Sequence, residues 1–231
     1  ATYNVLDAST NVNTGNFHGS WVLSCIAADI AGVYTGMATE ATFYLAIAEP
    51  TSAPYDETDW IAAAEWADLQ GVDIIHSSLG YFYDSDLAGL LAGMENFTFD
   101  VMDGESTAVT RAADMAAGNG ILVVNSAGNT IQPIGYDFIV APCDGDSVLC
   151  VGGVLPDRTH SPGSCSGPTF DGRIKPDVVA MGREVSVMGG AGSTVELKNG
   201  TSFSAPLVSG LAACLMEKYP NAGNMQVFEA I

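Results

Sequence analysis

Basic side chains are scarce in this sequence of 231 residues: seven Lys and Arg stand against 27 Asp and Glu, a formal net charge of −20. A field of that sign repels phosphate backbones and anionic headgroups, which argues against nucleic acid and anionic membrane surfaces as partners. Long apolar runs are lacking as well. Stretches such as Gly120–Val124 and Leu207–Met216 fall short of the roughly 18–20 residues that a membrane span requires, and both contain small or polar residues. The five cysteines form no C-x-x-C pair, which argues against a zinc site and against a disulfide-framework miniprotein. There is no P-loop, no G-x-G-x-x-G following a strand and no H-E-x-x-H. Ala1–Asp7 have neither a basic region nor a long apolar one, so no signal peptide is read here, which leaves the compartment open.

What is present is a chain with 48% hydrophobic and 15% charged residues, enough to build a sizeable core. Apolar β-rich runs alternate with helical stretches over the whole length, the pattern of an α/β fold whose parallel sheet is covered by helices. Nothing repeats and no linker divides the chain, so 1–231 reads as one domain. Strands are expected over Thr42–Ala48, Val72–Ser77, Ile121–Asn125, Ser147–Val154 and Asp177–Ala180. Helices are expected over Gly19–Ala28, Thr58–Leu69, Thr107–Gly118, Ser204–Tyr219 and Met225–Ile231, with Pro220 ending the fourth. Gly71 and Gly120 fall between a helix and the next strand, where a left-handed cap is wanted. Tyr81–Gly104 reads as a long, irregular surface excursion. Cys25 and Cys214 lie in apolar helical stretches and read as core thiols. Cys143 and Cys150 flank an Asp-Gly-Asp turn, but pairing is the lesser reading, because the second cysteine falls inside a strand.

Only three histidines can serve as a base. His18 follows Asn16 and precedes an apolar helical pattern, which puts its imidazole at a helix N-terminus; the alternative is a surface histidine beside a cap. His76 ends the strand G-V-D-I-I-H and reads as packed or locally hydrogen-bonded, and His160 as solvated in a Pro and Ser loop. In N-G-T-S-F-S-A-P, Asn199–Pro206, a Gly-Thr turn delivers Ser202 to the first turn of an apolar helix, where the helix dipole favours a developing alkoxide; an ordinary capping serine is the alternative. Pro206 is tolerated there as a residue of the first turn. In V-V-N-S-A-G-N, Val123–Asn129, a buried strand ends in a glycine turn that can fix the Asn129 amide as an oxyanion donor, or merely form a turn.

Taken in order, H-G-S, S-A-G-N and N-G-T-S-F-S-A-P resemble the subtilisin-like serine protease family over essentially the whole chain. H-S-S-L-G, His76–Gly80, resembles that family's substrate-backbone strand, and F-Y-L-A-I-A, Phe43–Ala48, the opposing edge strand. Stretches such as D-G-R-I-K-P-D-V-V-A-M-G look most like Bacteroidetes subtilases. The resemblance implies a three-layer sandwich with a mostly parallel central sheet. It also implies His18 as general base, Ser202 as nucleophile and Asn129 as an oxyanion donor beside the Ser202 amide. Peptide or protein substrate is then expected to bind along Ser78, Leu79 and Gly80 and the Ala127–Gly128 turn, without any cofactor for the chemistry.

One element of that pattern has no counterpart. The family's catalytic Asp precedes the His by tens of residues, whereas here only Asp7 precedes His18, and the first nineteen residues read better as the strand and loop leading into the His helix. An N-terminal strand carrying the Asp and C-terminal helix segments are therefore expected to be missing, with the acid supplied by a separate segment or chain. The expected enzyme is a secreted or periplasmic endopeptidase; the other reading is a catalytically silent, peptide-binding subtilase-like domain. No metal ligand is assigned. Asp84 with Asp86 and Asp144 with Asp146 can hold structural calcium, although a solvated acidic surface is the preferred reading. G-S-C-S-G, Gly163–Gly167, runs into Pro168 rather than a helix, so Cys165 reads as a loop residue.

Overall fold

The computed structural model describes residues 1–13, 16–50, 56–82, 98–130, 137–189 and 194–231. Its elements run β1 (Thr2–Asn4), α1 (His18–Ala27), β2 (Asp29–Ile30), β3 (Tyr34–Thr35), β4 (Leu45–Ile47), α2 (Glu57–Gln70), β5 (Ile74–Ser77), a short 3-10 turn (Phe99–Val101), α3 (Ala108–Gly118), β6 (Leu122–Ser126), β7 (Val148–Val154), β8 (Val178–Met181), β9 (Val185–Met188), β10 (Val195–Lys198), α4 (Thr201–Lys218) and α5 (Asn224–Ala230). The expected strands and helices form within a few residues of their sequence limits. The tip of the Tyr81–Gly104 excursion, with Asp84 and Asp86, lies outside the described residues.

The centre is a four-stranded sheet in the order β5-β6-β7-β8, parallel throughout. β6 and the first six residues of β7 are buried, as a sheet covered on both faces demands. Alternation along β6 sorts its side chains. Val123 joins Val148 against Val109, Ala113, Ala116 and Ala117 of α3 and Trp60 and Ala64 of α2. Leu122 and Val124 join Leu149 and Val151 against Ala205, Val208 and Ala212 of α4 and Val227 of α5. These are the three layers, held by apolar burial worth roughly 25 cal/mol per Å². β1 pairs with β4 in parallel, and β9–β10 form an antiparallel hairpin.

Local chemistry sets the ends. Asp56 accepts from the Thr58 amide at 2.8 Å to cap α2, and Thr107 caps α3 through Thr110. Gly71 and Gly120 take positive φ, 70° and 97°, as their positions after helices require. Lys175 is buried, its Nζ donating to the Val148 carbonyl at the start of β7 and to Asp177 at 2.8 Å each.

Three sequence expectations are corrected. Cys143 and Cys150 form a disulfide: the turn between them folds back far enough to bring their Cα atoms to 5.0 Å although Cys150 is in β7. Cys214 is exposed rather than core, because it lies on the outer face of α4, where its thiol reaches the Met37 carbonyl. Asp144 is not solvated: it is fully buried, accepting from the Gly104 amide at 2.9 Å and Thr110 Oγ1 at 2.7 Å.

Candidate active site

The carboxyl ends of β5 and β6 point the same way and release two short segments, Ser78–Gly80 and Ala127–Asn129. In open parallel sheets that edge is where ligands bind. The N-terminus of α4 is stitched to both segments. Thr201 Oγ1 donates to the Gly128 carbonyl at 3.0 Å, the Thr201 amide donates to Asn129 Oδ1 at 3.0 Å, and Ser78 Oγ donates to the Ser202 carbonyl at 2.8 Å. Ser202 therefore occupies the second position of an 18-residue helix, where the unpaired amides and the helix dipole favour negative charge.

Asn129 has its side-chain carbonyl occupied by Thr201, which leaves Nδ2 as the group presented outward. Gly200 makes this approach feasible: a Cβ there would lie 3.2 Å from Asn129 Oδ1, and its φ of +130° is one that side chains disfavour. A cleft of about 170 Å³ opens between the segments, lined by Ser78, Leu79, Gly80, Phe82, Ser126, Gly128, Asn129, Val140 and Ser202. Ala127, expected on this wall, is fully buried against Ile139, Cys143 and Cys150 instead, because the chain turns its side chain inward before Gly128. Phe82, Val140 and Ser126 are wall residues that the sequence did not single out. Asn125, at the end of β6, braces the opposite segment: it accepts from Ser77 Oγ and donates to the Leu79 carbonyl at 3.0 Å.

His18 opens α1, its amide donating to Asn16 Oδ1 at 2.9 Å. Val22 and Cys25 of α1 pack with Phe203 of α4 and with Val185 and Val187 of β9, and the His18 ring meets the Phe203 ring edge-on at 5.9 Å between centroids. His18 and Ser202 thus lie in the first turns of two helices packed against each other. Burial holds the His18 imidazole below its ordinary 6.5, favouring the neutral, proton-accepting form. Among the described residues no Asp or Glu forms an ion pair with His18. Asp7 forms no ion pair with it: its carboxylate is exposed and is held in its own turn by Ser9, whose hydroxyl first and amide second, the latter at 3.0 Å, lower its pKa.

His76 differs from expectation in reach. Its bonds are not all local, since Nδ1 lies 2.8 Å from Ser209 Oγ of α4 and Nε2 3.1 Å from Ser78 Oγ. The Asp144–Asp146 pair does not fit calcium. Asp144 is taken up by two protein donors, and the Arg173 guanidinium donates to Asp146 at 2.6 Å and to the Asp144 carbonyl at 2.8 Å, putting a cation where the metal would sit.

A serine on a helix N-terminus, a neutral histidine on the neighbouring helix and an outward amide are the parts of a serine hydrolase. The comparisons with known proteins agree: residues 2–231 match the Subtilase family, and the chain belongs to that family of subtilisin-like serine endopeptidases. It is 30% identical to subtilisin DY of Bacillus licheniformis over 215 residues, 92% of this chain and 68% of that one. It is 30% identical to subtilisin E of Bacillus subtilis over 92% of this chain and 49% of the relative, so it spans about half of that protein's length. A cold-adapted subtilisin-like serine proteinase superposes with a TM-score of 0.73 at 18% identity, covering 98% of this chain and 71% of the other, a likeness of fold.

Proposed function

We propose that the chain hydrolyses peptide bonds through an acyl-enzyme on Ser202, with His18 as base and Asn129 in the oxyanion hole. The observation that supports this reading is the packing of α1 on α4, which brings the helix opened by His18 against the helix that carries Ser202 at its N-terminus. Ser202 Oγ attacks the substrate carbonyl carbon while His18 takes the hydroxyl proton. The oxyanion accepts from Asn129 Nδ2 and the Ser202 amide. The C–N bond then breaks as His18 returns the proton to the leaving amine, and water repeats the sequence to release the acid.

Substrate adds as an extended strand along Ser78–Gly80, with the Phe43–Ala48 segment as the opposing edge. Leu79, Phe82 and Val140 make the cleft wall apolar, so apolar or aromatic residues before the cut are preferred to charged ones. The charge of −20 also disfavours acidic substrates. A secreted or periplasmic setting is supported by the Cys143–Cys150 disulfide, since such bonds persist in oxidising compartments. Any structural calcium lies away from Asp144 and Asp146.

The test is fluorophosphonate labelling of the full-length protein. Ser202 is labelled in the wild type, and Ser202→Ala and His18→Ala each abolish labelling and turnover, the double variant being little worse than either. Strong labelling of His18→Ala overturns the assignment. A peptide library then reads the pocket, and a clear preference for Asp or Glu before the cut refutes it. The second reading, a silent peptide-binding domain, is favoured by the lack of a carboxylate beside His18 among the described residues. Peptide binding by the wild type without labelling or turnover selects it.

A further inference from the structure

Pro206 is the sixth residue of α4, beyond the four whose amides have no helical partner. An ordinary residue there would donate its N–H to the carbonyl four positions back, which is that of Ser202. Proline has no N–H, so the expectation that Pro206 is tolerated as a residue of the first turn needs correcting: it orphans the carbonyl of the proposed nucleophile. The replacement donor comes from another element. Ser78 Oγ, just past β5, donates to the Ser202 carbonyl at 2.8 Å.

His76 governs that hydroxyl. Its Nε2 lies 3.1 Å from Ser78 Oγ, and its Nδ1 lies 2.8 Å from Ser209 Oγ, which is also 3.2 Å from the Ala205 carbonyl. A serine has a single hydroxyl hydrogen. If Ser78 gives its own to Ser202, its oxygen can only accept from the ring, so Nε2 must carry the proton. Nδ1 then accepts from Ser209, and the Ala205 carbonyl loses only a supplementary partner, because the Ser209 amide already reaches it within the helix. The opposite tautomer reverses this. Nδ1–H donates to Ser209, bare Nε2 draws the Ser78 hydrogen to itself, and the Ser202 carbonyl is left unpaired in a site where the serine is 8% exposed. A doubly protonated ring would serve both ends, but burial, and secondarily the nearby His18, depress the His76 pKa to about 4.

We infer that His76 is a positioning residue for Ser202: through its Nε2–H it fixes the Ser78 hydroxyl, which takes the place of the amide lost at Pro206 and holds the first turn of α4. That turn carries both the nucleophilic Oγ and the Ser202 amide. The inference rests on Ser202 being the nucleophile, but its first test does not. Long-range ¹H–¹⁵N spectra of the wild-type protein at neutral pH report the His76 tautomer, with protonated Nε2 and bare Nδ1 expected. A ring protonated at Nδ1 alone overturns the inference whatever Ser202 does.

The second test compares His76→Gln, His76→Asn and His76→Ala. A glutamine amide nitrogen reaches the place of the imidazole Nε2 and donates to Ser78, whereas an asparagine nitrogen reaches only as far as Nδ1. Glutamine should keep kcat within a few fold of wild type, while Asn and Ala lose about 10- to 100-fold in kcat at nearly unchanged KM, the scale of a displaced reacting group. Ser78→Ala should match His76→Ala, and the double variant should lose no more than either. Equal rates for the Gln and Asn variants, or losses confined to KM, overturn the inference. A wild type that fluorophosphonate does not label removes the reading of Ser202 itself, and the spectra still decide the tautomer.

Discussion

Asn129 turns its side-chain carbonyl to the main-chain amide of Thr201, 3.0 Å away and one residue before Ser202. The bond decides which end of the amide faces the cleft. Asn129→Ala should lower kcat by about 10²–10³ with KM nearly unchanged, the range being the one established for the oxyanion asparagine of subtilisin and taken over from it. Asn129→Asp should be no better, because it offers no N–H and sets a negative charge beside the oxyanion. Steady-state kinetics on a peptide amide check both.

Proton uptake by His18 should set the acid limb of activity. Desolvation lowers its pKa from 6.5, so kcat/KM should fall as pH drops through a value below 6.5, and no activity optimum should appear near pH 4. A pH–rate profile of kcat/KM tests the sign: a limb above 6.5 would mean that a partner stabilises the imidazolium.

His76 carries a stability consequence of the same sign. Its folded pKa of about 4 lies below the unfolded 6.5, so between those values the unfolded chain binds a proton that the native one refuses. Its contribution is fully present above pH 6.5 and lost as pH falls towards 4. Urea titrations across that window should show a smaller pH-dependent loss in His76→Gln than in wild type.

Gly200→Ala should unfold the chain more easily, by about 1–3 kcal/mol, because φ +130° with ψ 157° lies in a region nearly reserved for glycine. The added Cβ would also press on Asn129 Oδ1, so residual activity should fall further than the shift in melting temperature accounts for. Calorimetry together with kcat separates the two.

Cys143→Ser should destabilise by about 2–3 kcal/mol, the chain-entropy value for a loop closed over a separation of 7. Mild reduction of the wild type should reproduce the loss of melting temperature.

The core elements were legible in the sequence because each carries a strong period: Leu122, Val123 and Val124 could only form a strand buried on both faces, and Thr107–Gly118 repeats alanine at helical spacing. The site motifs were legible because helix starts and glycine turns are local chemistry. Contacts between distant segments were not. Nothing near Cys143 announces that its turn brings Cys150 within bonding reach, and nothing near His76 announces Ser209, 133 positions away. β9 and β10 do carry a sequence signal, two alternating runs around Gly-Gly-Ala-Gly. Ala127 was expected on the cleft wall and is buried instead, because the turn after β6 decides which side chains face the cleft, and Val140, further along the same connection, takes a place on the wall.

The central sheet contains no hairpin. Ile74 must find Leu122, Val123 must find Val148, and Val151 must find Val178, each after a long stretch of intervening chain. Loop-closure entropy is spent before any of these pairings rewards it, which makes folding slow by topology. The helix bearing Ser202 covers that sheet and follows all four of its strands along the chain. The proposed site therefore cannot assemble on a nascent chain before every strand of the central sheet has been made.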